Sequence, residues 1–217
     1  MNKPTRRALI VIDVQNEYVG GGLPIEYPPL AQSLPLIGKA IDEARKAGVP
    51  VVVVRQVAPA GAPLFARGSH GAQLHPVVAT RAHDHLIDKT LPSAFAGTDL
   101  DDWIAEHDIN TLTVVGFMTH NCVDATIKQA LHEGLKVEFL HDASGSVSYV
   151  NRAGRASARE LHGAFSVVLQ SRFAAVLGTD EWVAALALGI EPERDTIYHS
   201  HARGVASLPQ ARLEPST

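Results

Sequence analysis

Short apolar, β-branched runs alternate with helical patterns along this chain, and the connections between the runs are too long for hairpins. Ala8–Ile12 (Ala-Leu-Ile-Val-Ile) and the valine run Val51–Val54 carry no polar residue, as strands do when helices cover both faces of a sheet. Between them Leu34, Ile37, Ala40, Ile41 and Ala44 recur at helical spacing. Proline is tolerated in a first turn, so Pro35 sets the helix start near Ser33, and Gly48 follows its end at Ala47. The alternation continues with a strand at His85–Lys89, a helix at Asp99–His107, and a strand at Thr111–Val115 broken by Gly116. A helix at Val123–His132, a strand at Lys136–Leu140, a helix at Arg152–Phe165, a strand at Ser166–Leu169 and a helix at Asp180–Leu188 complete it. This order predicts a three-layer α/β/α, Rossmann-like fold around a mainly parallel six-stranded sheet.

With no linker, repeat or low-complexity tract, residues 1–217 read as a single domain. Its core covers about 8–188, and 189–217 form a polar, proline-dotted C-terminal arm. The formal charge of −4 comes from 19 basic and 23 acidic residues spread along the chain. No basic stripe points to nucleic acid or an anionic membrane surface, and no apolar stretch is long enough to cross a bilayer. Only about five apolar residues precede Asp13, short for a signal peptide. With one cysteine, the expected compartment is the cytoplasm.

That cysteine, Cys122, follows the carboxyl end of the Thr111–Val115 strand and falls in the expected first turn of the next helix. Unpaired N–H groups and the helix dipole favour thiolate there, although a lone cysteine is more often a small packing residue. Ligands of open parallel sheets bind outside the carboxyl ends of the strands. Asp13 ends the first strand and Lys89 ends the His85–Lys89 strand, so a nucleophile, a proton acceptor and a cation converge on one edge. Residues 57–85 are irregular, with three prolines and three glycines, as in a lid over such an edge. The chain has eleven histidines, but His70, His75, His83 and His85 lack metal-ligand spacing and read as ordinary loop residues. No metal or cofactor is expected.

Three blocks carry a resemblance: Ile-Asp-Val-Gln-Asn-Glu from Ile12, Lys-Thr-Leu-Pro-Ser-Ala-Phe-Ala-Gly-Thr-Asp-Leu from Lys89, and Gly-Phe-Met-Thr-His-Asn-Cys-Val-Asp-Ala-Thr from Gly116. In order and spacing, from about Ala8 to Leu188, the chain resembles the isochorismatase-like cysteine hydrolases, whose superfamily includes nicotinamidases and N-carbamoylsarcosine amidases. The resemblance implies a catalytic triad of Asp13, Lys89 and Cys122. It also implies a cis peptide between Met118 and Thr119, and an oxyanion hole from the backbone N–H groups of Thr119 and Cys122. Lys89 and the helix N-terminus would hold Cys122 as thiolate, with Asp13 accepting its proton. The implied reaction is hydrolysis of an amide, ureido or carbamoyl C–N bond of a small molecule through a thioester. A vinyl-ether hydrolase, which needs no thiol nucleophile, and a catalytically silent binding protein are the alternatives.

Nicotinamidases of this superfamily carry an Asp-x-His metal-binding pair after the second strand, where this chain has Arg55-Gln56-Val57-Ala58-Pro59, so a metal-dependent nicotinamidase is disfavoured. The candidate substrate contacts are Gln15, Glu17, Tyr18, Gln56, Phe65, Phe95 and His120. The resemblance further suggests a homo-oligomer, a dimer or tetramer, with Trp182–Leu188 and the arm from Gly189 as contact surfaces.

Overall fold

The computed structural model describes residues 4–207. The first strand, β1 (Arg7–Ile12), is followed by α1 (Leu30–Lys46), β2 (Val51–Gln56), the short α2 (Pro76–Ala79) and β3 (His85–Lys89). Next come α3 (Leu100–Glu106), β4 (Thr111–Phe117), α4 (Asp124–His132) and β5 (Lys136–Gly145). The small strands β6 (Tyr149–Asn151) and β7 (Gly154–Ala156) precede α5 (Ala158–Val168), β8 (Ala175–Leu177), α6 (Thr179–Leu188) and α7 (Ile197–Ser207).

Six strands form one all-parallel sheet in the order β3-β2-β1-β4-β5-β8. Because side chains alternate along a strand, β1 feeds two cores. Ala8, Ile10 and Ile12 pack with Trp103 and Ile104 of α3 and Ile127 of α4. Leu9 and Val11 pack with Ile37, Ala40 and Ile41 of α1 and Trp182 of α6. The expected three-layer architecture is therefore present. Strand order reverses between β1 and β4, and Asp13 and Cys122 both lie just beyond the carboxyl ends of these two strands, where a crevice opens in sheets of this kind.

Several expected boundaries are corrected. Helix α1 starts at Leu30, not Ser33, so Pro35 lies in its second turn. Both Pro35 and Ala31, whose carbonyl the ring deprives of an N–H partner, are on the exposed face, where water can serve that oxygen. Gly116 does not end β4. It sits within the strand at φ 107°, where a Cβ would come within 2.0 Å of the Ile12 carbonyl oxygen. Residues 149–156 form the antiparallel hairpin β6–β7, not the start of a helix. Helix α5 begins instead where Ser157 and Glu160 cap each other's backbone N–H groups, and it therefore runs through Ser166–Val168. The Ser166–Leu169 strand is accordingly absent, and the last sheet strand is Ala175–Leu177. In the arm, Ile197–Ser207 is helical, and 208–217 lie outside the described residues.

Candidate active site

Asp13, Lys89 and Cys122 come from three segments far apart in sequence and meet at one buried point. The Lys89 ammonium nitrogen lies 2.8 Å from Asp13 Oδ2 and 3.3 Å from Cys122 Sγ. Its third partner, Gln56 Oε1 at the end of β2, accepts at 2.7 Å. Lys89 thus makes an ion pair with Asp13 and hydrogen bonds to Cys122 and Gln56. Asp13 leaves β1 with φ 52°, a conformation that Asp tolerates better than most residues. The relative exposures of Asp13, Lys89 and Cys122 are 0%, 2% and 5%.

Burial decides how these groups ionise. It raises the Asp13 carboxyl above the usual range, against the opposing pull of Lys89. Burial alone would lower Lys89, but the charges of Asp13 and Cys122 outweigh it and hold the ammonium. The thiol of Cys122 is pushed up to about 12, first by burial and then by Asp13, with Lys89 pulling the other way. The expected resting thiolate is therefore corrected to a protonated thiol. Burial is the main cause, Asp13 adds to it, and Lys89 offsets only part. Cys122 itself lies in a π-helical turn, Thr119–Val123, instead of the first turn of α4.

That turn follows a non-proline cis peptide, which joins Phe117 to Met118 and not Met118 to Thr119 as expected. Neither bond precedes a proline, so no residue type distinguishes the two in sequence. Asn121 and Val123 donate their N–H groups to the Met118 carbonyl at 3.0 and 3.2 Å. Thr119 is fully buried, and its hydroxyl lies within bonding distance of Ser144 Oγ, the Gly145 carbonyl and His162 Nδ1.

The candidate substrate contacts divide into two groups. Gln15 is buried with its amide engaged by backbone: Nε2 donates to the Gln56 and Ala72 carbonyls, and Oε1 accepts from Gln56 N–H. The Glu17 carboxylate accepts from Gly22 N–H at 2.5 Å and Phe65 N–H at 3.2 Å. Both side chains fasten the irregular 57–75 segment to the end of β1, a structural role these bonds give them in the fold. Tyr18 packs on Phe65 and Phe117, with ring centroids 5.1 and 5.7 Å away. Its phenol is raised by burial and by the charges of Asp13 and Cys122, which places it beside the triad. Phe95 is buried in the same core cluster as Cys122. His120 bonds Ser146 Oγ through Nδ1 at 3.0 Å, and its Nε2 has no partner among the described residues.

One wall of the site comes from a segment without a strand signal in the sequence. Tyr149, on the β6–β7 hairpin, meets the His120 ring edge-on at 4.9 Å, and its phenol is raised by burial and by Cys122. In sequence it is marked only by its aromatic identity directly after Ser146-Val147-Ser148.

Among the described residues, no group of three His, Cys, Asp or Glu is placed to hold a metal ion. His75 caps α2 through Val77 N–H, and His85 pairs with Asp99 at 3.0 Å. No helix among the described residues is long and apolar enough to cross a membrane.

The three-layer fold around an all-parallel sheet agrees with the similarity to known proteins. The isochorismatase domain model matches residues 7–187. The chain belongs to the isochorismatase family. A crystal structure from Burkholderia xenovorans LB400, described as an isochorismatase, is 63% identical with a TM-score of 0.93, covering 94% of this chain and 98% of that one. A cysteine hydrolase from Pseudomonas syringae pv. phaseolicola 1448A is 25% identical with a TM-score of 0.79, covering 87% and 95%. The ureidoacrylate amidohydrolase of Acinetobacter baylyi is 26% identical over 213 residues, 83% of each chain. The protein is an isochorismatase-family hydrolase, and its homologues include amidases acting on non-peptide C–N bonds.

Proposed function

We propose that this protein is a cysteine-dependent hydrolase that cleaves an amide, ureido or carbamoyl C–N bond of a small molecule through a thioester on Cys122. The observation that carries this reading is the buried contact chain from Asp13 Oδ2 through Lys89 Nζ to Cys122 Sγ, at 2.8 and 3.3 Å. A packing cysteine has no use for a buried ion pair against its sulfur, whereas a nucleophile needs a base and a cation at that place.

The ionisation pattern specifies how the steps are coupled. With the thiol protonated at rest, Cys122 attacks the carbonyl carbon as its proton passes to Asp13, whose raised basicity suits it to receive one. An S–C bond forms, and the carbonyl oxygen becomes an oxyanion held by the backbone N–H groups of Thr119 and Cys122. Each such donor is typically worth about 10²–10³ in rate. Asp13 then gives the proton to the departing nitrogen, the C–N bond breaks, and the thioester remains. Water attacks the thioester as Asp13 takes one of its protons, the acid product leaves, and the proton returns to sulfur. Lys89 keeps the two reacting groups together, and Tyr18, Phe65, Phe95, His120 and Tyr149 offer apolar and aromatic surface to a small substrate.

The test is ammonia release from a panel of primary amides, ureido acids and carbamoyl compounds, with Cys122→Ala measured at equal concentration. Turnover that disappears in the variant supports the thioester route. Turnover that persists removes Cys122 as nucleophile and favours vinyl-ether or other thiol-independent hydrolysis.

A further inference from the structure

Behind the Cys122 turn lies a closed polar chain that the proposed steps do not use. Thr119, Ser144 and His162 have relative exposures of 0%, 0% and 4%, and they come from the π-helical turn, β5 and α5. The Ser144 hydroxyl lies 2.7 Å from the Gly116 carbonyl, Thr119 Oγ1 lies 2.8 Å from Ser144 Oγ, and His162 Nδ1 lies 2.9 Å from Thr119 Oγ1. Buried polar groups need partners, and each hydroxyl has one proton to give.

Proton counting orients the chain. A carbonyl can only accept, so Ser144 spends its proton on Gly116. Only Thr119 can then supply the proton in the contact between the two hydroxyls. The Gly145 carbonyl, 3.2 Å from Thr119 Oγ1, competes for that same proton and returns none. Thr119 therefore has nothing to donate to His162, and the contact at 2.9 Å requires a proton on Nδ1. Burial, helped by His141 and His120, lowers His162 to about 4, so at neutral pH the ring is neutral with a single N–H. The network places that N–H on Nδ1. With the other tautomer, Nδ1 and Thr119 Oγ1 would compete for too few protons, and one buried contact would go unbonded.

We propose that His162 is a positioning residue for the oxyanion hole: its Nδ1–H fixes Thr119, and through Thr119 the turn whose backbone N–H groups face the reacting carbonyl. This assignment rests on the thioester chemistry proposed above. The imidazole does not touch substrate. It acts on the placement of a donor pair, where a shift of about 1 Å can cost about 10² in rate.

Two reagents separate this role from the nucleophile's. p-Nitrophenyl acetate acylates a thiol through a tetrahedral oxyanion: the S–C bond forms, the thiol proton goes to Asp13, nitrophenolate leaves, and water later releases acetate. Iodoacetamide alkylates the same sulfur by displacing iodide and forms no oxyanion. Both rates would be measured for wild type, His162→Gln and His162→Asn. The Asn side-chain NH₂ can take the place of Nδ1–H, whereas the Gln amide reaches toward the Nε2 position.

The expected result for His162→Gln is an acylation rate reduced at least about 10-fold with alkylation within about 2-fold of wild type. His162→Asn should recover most of the acylation. Equal losses in both reactions would mark a general structural role and overturn the proposal, as would unchanged acylation in His162→Gln or rescue by Gln but not Asn. Absence of Cys122-dependent acylation in the wild type would instead count against the thioester reading itself, so the two failures are distinguishable.

Discussion

Asp13→Asn removes the charge that helps keep Cys122 protonated while preserving the shape of the side chain. In the wild type the thiol is held at about 12, so at pH 8 only ~10⁻⁴ of it is thiolate. Asp13 and Cys122 flank the same ammonium, and at about 4 Å with an effective dielectric of about 20 a unit charge is worth ~4 kcal/mol, or roughly three pKa units. With Asp13 neutral, Lys89 remains beside the sulfur and the thiol falls to roughly 9, which raises the thiolate fraction at pH 8 about 10³-fold. A less basic thiolate is a weaker nucleophile, and a Brønsted slope of about 0.45 takes back about 20-fold. The net expectation is iodoacetamide alkylation some tens of times faster in Asp13→Asn, with acyl transfer at least 10² slower because the amide cannot accept a proton. The assay is pseudo-first-order alkylation followed by intact mass, beside nitrophenolate release from p-nitrophenyl acetate. Alkylation that is slower than wild type, or equal to it, would refute the claim that Asp13 holds the thiol protonated.

Other expectations concern the frame around the site. Gly116→Ala would place a methyl 2.0 Å from the Ile12 carbonyl at φ 107°, with no side chain to move aside, so a loss of more than ~4 kcal/mol is expected. Urea denaturation reads it, and an unchanged midpoint would contradict the close approach of β1 and β4. Glu138→Ala strands the Arg7 guanidinium, whose side chain is 7% exposed, and removes an acceptor from Thr113 and Trp182. A loss of ~3–5 kcal/mol follows, measured the same way. His162 titrates near 4 in the fold against 6.5 unfolded, so its contribution is fully present above pH 6.5 and is lost as pH falls toward 4, up to ~3 kcal/mol. The thermal midpoint of wild type should therefore drop more steeply over that interval than that of His162→Asn, and parallel curves would count against the depressed value.

Strand periodicity revealed the sheet, and the chemistry-bearing residues at the strand ends revealed which groups would meet, because Asp13, Lys89 and Cys122 all sit where a parallel sheet opens. The fate of individual polar groups was not legible. Gln15 and Glu17 carry the same functional groups as a substrate contact, and the sequence does not show that both also bond backbone groups of the irregular 57–75 segment. The direction of the Cys122 shift was misread because the depth of burial, its largest cause, cannot be read from the sequence, and Asp13 adds to it. Tyr149 was missed because a three-residue hairpin strand is too short to give a periodic signal. The run Ser166–Leu169 misled for the opposite reason: a β-branched run is also compatible with a helix already started by a strong cap at Ser157.

Charge conservation inside the cluster explains why three buried ionisable groups can serve one reaction. At rest Asp13 is anionic, Lys89 cationic and Cys122 neutral, so the cluster carries no net charge, as its burial demands. In the proposed attack the proton crosses from sulfur to carboxylate, the ion pair changes from Asp–Lys to Cys–Lys, and the sum remains zero. Lys89 need not move, because both anions already lie against the same nitrogen, at 2.8 and 3.3 Å. As the S–C bond forms, the sulfur's negative charge passes to the substrate carbonyl oxygen, leaving Asp13 and sulfur neutral and Lys89 cationic. That charge falls to backbone N–H groups, which can be aimed only by fixing the turn that carries them. A buried triad neutral at rest and a rigidly held turn are thus two halves of one requirement: the triad moves a proton at little electrostatic cost, and the turn meets the negative charge that passes to the substrate.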